Sequence, residues 1–170
     1  KEEVQDKNKA AEEWLKEGLR LQNLTRYQAA VDAYQMARVF KPNFLDAYYN
    51  MGVAYGCMEE NGIDALHKAV WVFKKSIDLN PEFIHAYTAL GASYIKQGDT
   101  KEAIELLNRA EKVCPKDSNV YFYLGIASRI NSQFEEAVVY LKKAVALKPD
   151  SVQVQFYLGL SLLDAKLYEE

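Results

Sequence analysis

Two histidines and two cysteines are the side chains best suited to bind a metal or attack a substrate, and their spacing denies both uses. Neither His67 nor His85 has a cysteine or a second histidine at the interval a zinc site needs. Cys57 and Cys114 form no C-x-x-C motif and read as packed free thiols. The pairs Glu59-Glu60, Glu135-Glu136 and Glu169-Glu170 read as solvated helix starts or turns, because acid–base work requires burial to raise one pKa. Glycine-rich phosphate loops and His-Glu-x-x-His are absent from the sequence. Asn23-Leu24-Thr25 fits the glycosylation sequon, a pattern too short to mean anything outside a secretory context. No catalytic residue, metal ligand or cofactor site is expected, and no enzyme activity.

Recognition chemistry is better represented. The dipeptides Phe122-Tyr123 and Phe156-Tyr157 recur 34 residues apart, with Ile126, Arg129 and Leu160 at helical spacing beside them. Tyr49, Asn50 and Val53 occupy matching places earlier in the chain, and His85 lies on the same predicted face. A helix that is apolar on two opposite sides is buried on both or has a surface for a partner.

The elements that must position these residues are announced by glycine. Gly18, Gly52, Gly91, Gly125 and Gly159 are separated by 34, 39, 34 and 34 residues, the mark of a helical repeat array. The four prolines all punctuate it: Pro42, Pro115 and Pro149 lie 24 residues after their glycine and Pro81 lies 29 after. Proline cannot continue a helix and restricts the residue before it, so each marks the end of a hairpin. Before each proline two small residues flank a large one at i, i+4, i+7: Ala30, Tyr34, Ala37; Ala69, Phe73, Ser76; Ala103, Leu107, Ala110; Ala137, Leu141, Ala144. That spacing is one helix face. Glycine in a helix interior costs about 1 kcal/mol against alanine. Five in register predict a steric need for close approach of the paired helix.

Bulk properties agree with a soluble repeat protein. The chain has 170 residues, a net charge of −3, and 49% hydrophobic and 26% charged residues. The negative balance argues against a general nucleic-acid binder, which needs a basic stripe. No run reaches the length of a membrane span. The compartment is left open, with the cytoplasm as the expectation.

The aromatic, the Leu-Gly pair, the second aromatic, the two alanines and the closing proline resemble the tetratricopeptide repeat family. Tyr87…Leu90-Gly91…Tyr94…Ala103…Leu107…Ala110…Pro115 and Trp14…Gly18…Tyr27…Ala30…Tyr34…Ala37…Pro42 carry the resemblance most fully. It covers residues 11–170 and implies an all-α, right-handed superhelical solenoid of antiparallel helix pairs, with the glycine-bearing helices lining a concave groove. The expected repeats are 11–44, 45–83, 84–117, 118–151 and a partial 152–170, with residues 1–10 extending the first helix. The second repeat is five residues too long around Glu59-Glu60-Asn61-Gly62, read as a longer turn, an added helical turn or a partner-contacting loop. The last glycine-bearing helix is too apolar for a solubilising cap, so the chain reads as part of a longer array or one capped by another molecule.

The resemblance implies binding of another protein or peptide. The family's clamp for a C-terminal carboxylate needs lysine, asparagine and arginine; only Asn50 matches, while Leu15, His85 and Ala89 hold the other places. The expected function is therefore an adaptor that takes an apolar or amphipathic segment in its groove. The expected contacts are Tyr49, Asn50, Val53, His85, Phe122, Tyr123, Ile126, Arg129, Phe156, Tyr157 and Leu160. The alternatives are a structural or self-assembly module, including a homo-oligomer, whose groove is filled by another subunit or by the array's continuation, and the recruiting arm of a larger enzyme.

Overall fold

The computed structural model describes residues 2–58 and 62–168. Among these residues there are nine α-helices and no strand, the all-α helical-repeat class the sequence predicts. They are α1 (Glu2–Asn23), α2 (Tyr27–Phe40), α3 (Leu45–Gly56), α4 (Gly62–Leu79), α5 (Ile84–Gln97), α6 (Thr100–Val113), α7 (Ser118–Ile130), α8 (Phe134–Leu147) and α9 (Val152–Tyr168). Packing groups the chain into two compact units, residues 1–86 and 87–170.

In the first unit α1 pairs with α2, α3 pairs with α4, and α2 packs on α3. The start of α1 is solvent-exposed on every side from residue 3 to 9, as its polar sequence requires. Tyr34 of α2 is buried between Ala30 and Ala37, and a methyl group on Gly18 of α1 would collide with its ring. Phe73 of α4 stands in the same relation to Gly52 of α3.

In the second unit α6 packs on α7, α7 on α8, and α8 on α9. A Cβ on Gly125 would lie 2.5 Å from Leu141 Cγ, and one on Gly91 would lie 2.9 Å from Leu107 Cδ2. The flanking Ala137 and Ala144, like Ala103 and Ala110, are fully buried. Each glycine is thus a socket and each large residue a knob, with small neighbours letting the helix backbones close on it. Gly159 of α9 is the exception: nothing lies within 4 Å of a Cβ placed there.

Helix ends follow from the same residues. Lys41, Asn80, Cys114 and Lys148 each donate a last backbone N–H to the carbonyl four residues back, and the proline that follows has no N–H to continue the ladder. Between paired helices a tight turn recurs seven residues after the glycine, with Thr25, Gly98 and Ser132 at φ of 59°, 86° and 60°. The next residue's N–H reaches back five residues in each, Arg26 to Leu21, Asp99 to Tyr94 and Gln133 to Ser128, at 2.9–3.0 Å. This is the left-handed helix cap that glycine adopts without strain.

The second repeat breaks this pattern. Positions 59–61 of the long segment lie outside the described residues, but α4 is 18 residues long where α2, α6 and α8 have 14. It begins seven residues before Ala69, whereas the other three begin three residues before their matching alanine. Four of the five extra residues therefore form an added N-terminal helical turn.

Candidate functional site

The residues the sequence singles out for recognition fall in both units, a separate set in each. In the first, Tyr49 and Asn50 sit half-buried on the middle of α3, with Val53 one turn on. Tyr49 meets the edge of Phe83 at 5.1 Å between ring centroids, and Phe83 in turn meets the exposed His85 edge-on at 5.6 Å. Aromatic rings prefer these tilted contacts because a positive edge faces a negative π-face. Phe83 has no place among the residues the sequence singles out. Its signal is slight, an aromatic two residues after Pro81 in the turn that leads into α5. Asn50 donates its side-chain N–H to the Asp46 carbonyl at 2.8 Å, one turn back on its own helix.

In the second unit the two aromatic dipeptides meet, though not as a uniformly open ladder. Phe122 is only 4% exposed. Tyr157 of α9 covers it edge-on at 5.4 Å and Tyr123 lies beside it at 5.1 Å. The expectation that Phe122 forms part of an accessible wall is corrected here: its place faces the next helix of the array, which buries it. Phe156 occupies the same place on α9 and is 60% exposed. Tyr123, Tyr157, Ile126 and Leu160 are half-buried and lie between these extremes. Burial pushes the Tyr123 phenol above the ordinary tyrosine range. The surface left to a partner is therefore Phe156 with the outer parts of Tyr157, Leu160, Tyr123 and Ile126, supported from behind by Phe122.

Arg129 of α7 is engaged. Its Nε donates to Asp164 Oδ2 of α9 at 2.5 Å, and both side chains are more than two-thirds shielded from solvent. The pair pins α9 to α7 and spends the cation on an internal carboxylate. Ile130 and Leu163, also on this face, remain exposed. Among the described residues no group of three or more His, Cys, Asp or Glu could hold a metal ion, and no helix is long and apolar enough to cross a membrane.

Known proteins share this architecture. Two family models, each described as tetratricopeptide repeat, match residues 84–127 and 129–170, together about half of the chain. The BBSome complex member BBS4 of Mus musculus is 26% identical over 105 residues, which are 61% of this chain and 19% of that protein. The chain thus spans about a fifth of that relative's length. Among solved structures, MamA (41-end) from Desulfovibrio magneticus RS-1 superposes with a TM-score of 0.79 and 24% identity, covering 92% of this chain and 86% of that one. The pilF protein of Pseudomonas aeruginosa gives 0.80 and 19%, covering 96% of this chain and 72% of the other.

Proposed function

The chain belongs to the tetratricopeptide repeat family, and from that premise we propose that it is a protein-interaction scaffold whose α7–α9 face takes an apolar or amphipathic segment of another protein. The observation that carries this reading is the exposed ring of Phe156 beside the half-covered Tyr157, Leu160, Tyr123 and Ile126. A contiguous apolar surface of this kind is what soluble chains keep for partners. Fully burying one such large side chain is worth about 1.5–3 kcal/mol. Four such side chains contribute about 6–12 kcal/mol against an association cost of about 4–15 kcal/mol, so the apolar contacts alone give an affinity no tighter than about micromolar, and polar contacts must add to it for anything stronger.

A second reading is favoured by one contact. Phe122, at the place equivalent to Phe156, is covered by an aromatic of the neighbouring helix. By the same geometry Phe156 suits a helix from another subunit or from a continuing array better than an extended strand.

The double substitution Phe156→Ser with Leu160→Ser tests both. Capture of partners from native lysate is expected to fall while the circular dichroism spectrum and melting temperature hold. Capture unchanged in the folded variant would overturn the site. Light scattering at rising concentration separates the readings: self-association that disappears in the same variant selects the structural role.

A further inference from the structure

On the other side of the first unit, a cleft of about 350 Å³ opens between α2 and α4, floored by Met51 and Tyr55 of α3. Its wall is Trp71, which is 48% exposed. Arg38 crosses the cleft with its guanidinium carbon 4.0 Å from the centre of the Tyr48 ring and 5.8 Å from that of Trp71. One guanidinium nitrogen donates to the Tyr48 hydroxyl at 2.8 Å and another points at the Met51 sulfur at 3.9 Å. Its Nε is buried and has no acceptor. Among the described residues no carboxylate pairs with this cation.

This is an unusual place for a charge. A shielded cation is ordinarily matched by an anion, because losing water without one is costly. The rings hold the guanidinium flat and supply part of the missing stabilisation through their π-faces. They do not neutralise it, and a guanidinium has five donors of which neutral groups here use two. The rim adds His67 and Lys68, both exposed. Lys68 pairs with Asp64 at 2.6 Å; both partners are largely solvated, so the bond is weak and easily exchanged. An apolar floor, an indole wall and an unmatched cation together define what fits.

We infer that this cleft is a second docking site, which takes a short acidic peptide segment presenting one aromatic or branched apolar side chain. The apolar side chain lies on Met51 and against Trp71, and the flanking carboxylates face Arg38 and the rim. The volume is within the range of sites that enclose a single large side chain or small ligand. The inference is independent of the α7–α9 surface.

The chain contains its own reporter. Trp14 and Trp71 are its only tryptophans, so Trp14→Phe leaves Trp71 as the sole source of indole emission. In that background acetyl-Asp-Glu-Phe-Asp-Asp-amide is titrated into the full chain. A saturable change in emission is expected, weakening as salt is added. The dissociation constant is expected to rise about tenfold or more in Arg38→Met. The double variant His67→Glu with Lys68→Glu changes only exposed side chains and keeps the test alive if Arg38→Met does not fold; it too is expected to weaken binding. The lysine counterpart, acetyl-Lys-Lys-Phe-Lys-Lys-amide, is expected to give no response. The inference is overturned by a flat titration to millimolar peptide, by an equal response to the basic peptide, or by rim variants that bind unchanged. Loss of the signal in Phe156→Ser with Leu160→Ser overturns it as well, since the peptide would then sit on the other surface.

Discussion

Two glycines at matching places in successive repeats should respond oppositely to the same added methyl group. In Gly125→Ala the Cβ meets the buried Leu141, which cannot move without disturbing Ala137 and Ala144 beside it. Overpacking of that kind costs about 1–3 kcal/mol and outweighs the roughly 1 kcal/mol that alanine brings to a helix. Gly159→Ala meets nothing and should stabilise by about 1 kcal/mol. Urea unfolding midpoints of the two variants check the pair. Tyr34 supplies a pH prediction at the same scale. Burial pushes its phenol from the ordinary 10 up to about 12, and its hydroxyl donates to Gln22 at 3.0 Å. A group whose folded-state pKa is raised contributes stability that is complete below its unfolded value and lost as pH rises through the folded one. Alkaline destabilisation between about pH 10 and 12 should therefore be shallower in Tyr34→Phe than in the parent, read from denaturant midpoints across that window.

Helices and their turns carry the next set of expectations. The left-handed turn between paired helices is occupied by glycine at Gly98 but by side chains at Thr25 and Ser132. A left-handed residue with a Cβ costs about 1–2 kcal/mol, part of which glycine forfeits through the freedom of its unfolded chain. Ser132→Gly should then raise stability by up to about 1 kcal/mol, and Gly98→Ala should lower it by a similar amount, both measured by thermal unfolding. Helix α9 is held to α7 by Arg129 and Asp164. A double-mutant cycle with alanine at both positions should return a coupling of about 0.5–1 kcal/mol, shrinking as salt is raised. A coupling indistinguishable from zero at low salt would mean that the apolar contacts alone seat α9.

Across the whole molecule, stability in a repeat protein is nearly a sum of neighbour contacts, so it need not be even along the chain. Among the described residues α7 packs against α6, α8 and α9, whereas α9 packs against α8 and α7. Amides of α9 are expected to exchange with solvent through local opening well before those of α7, which should exchange near the global unfolding free energy. Hydrogen exchange followed by mass spectrometry reads this directly; equal protection of the two helices would contradict it. The same unevenness bears on function. The apolar surface proposed for a partner lies partly on the less supported helix, so binding there should raise the protection of α9 before that of α7.

The glycine and proline intervals, and the small-large-small faces that answer the glycines, were legible from residues alone because they express local rules repeated at a fixed period. Proline ends a helix wherever it stands, and a glycine socket needs a knob at one offset in the same hairpin. The extra helical turn at the start of α4 was legible only as surplus length, since a turn and a helix of that composition look alike in sequence. What lies open on the recognition face was not legible. Phe122 and Phe156 occupy identical places in their repeats, and only the neighbouring helix decides that one is enclosed and the other exposed. Asp164 claims Arg129 across 35 positions, and Arg38 meets Tyr48 and Trp71 from three different helices. Burial and charge pairing depend on which distant segments share a space, so these were decided by the tertiary structure.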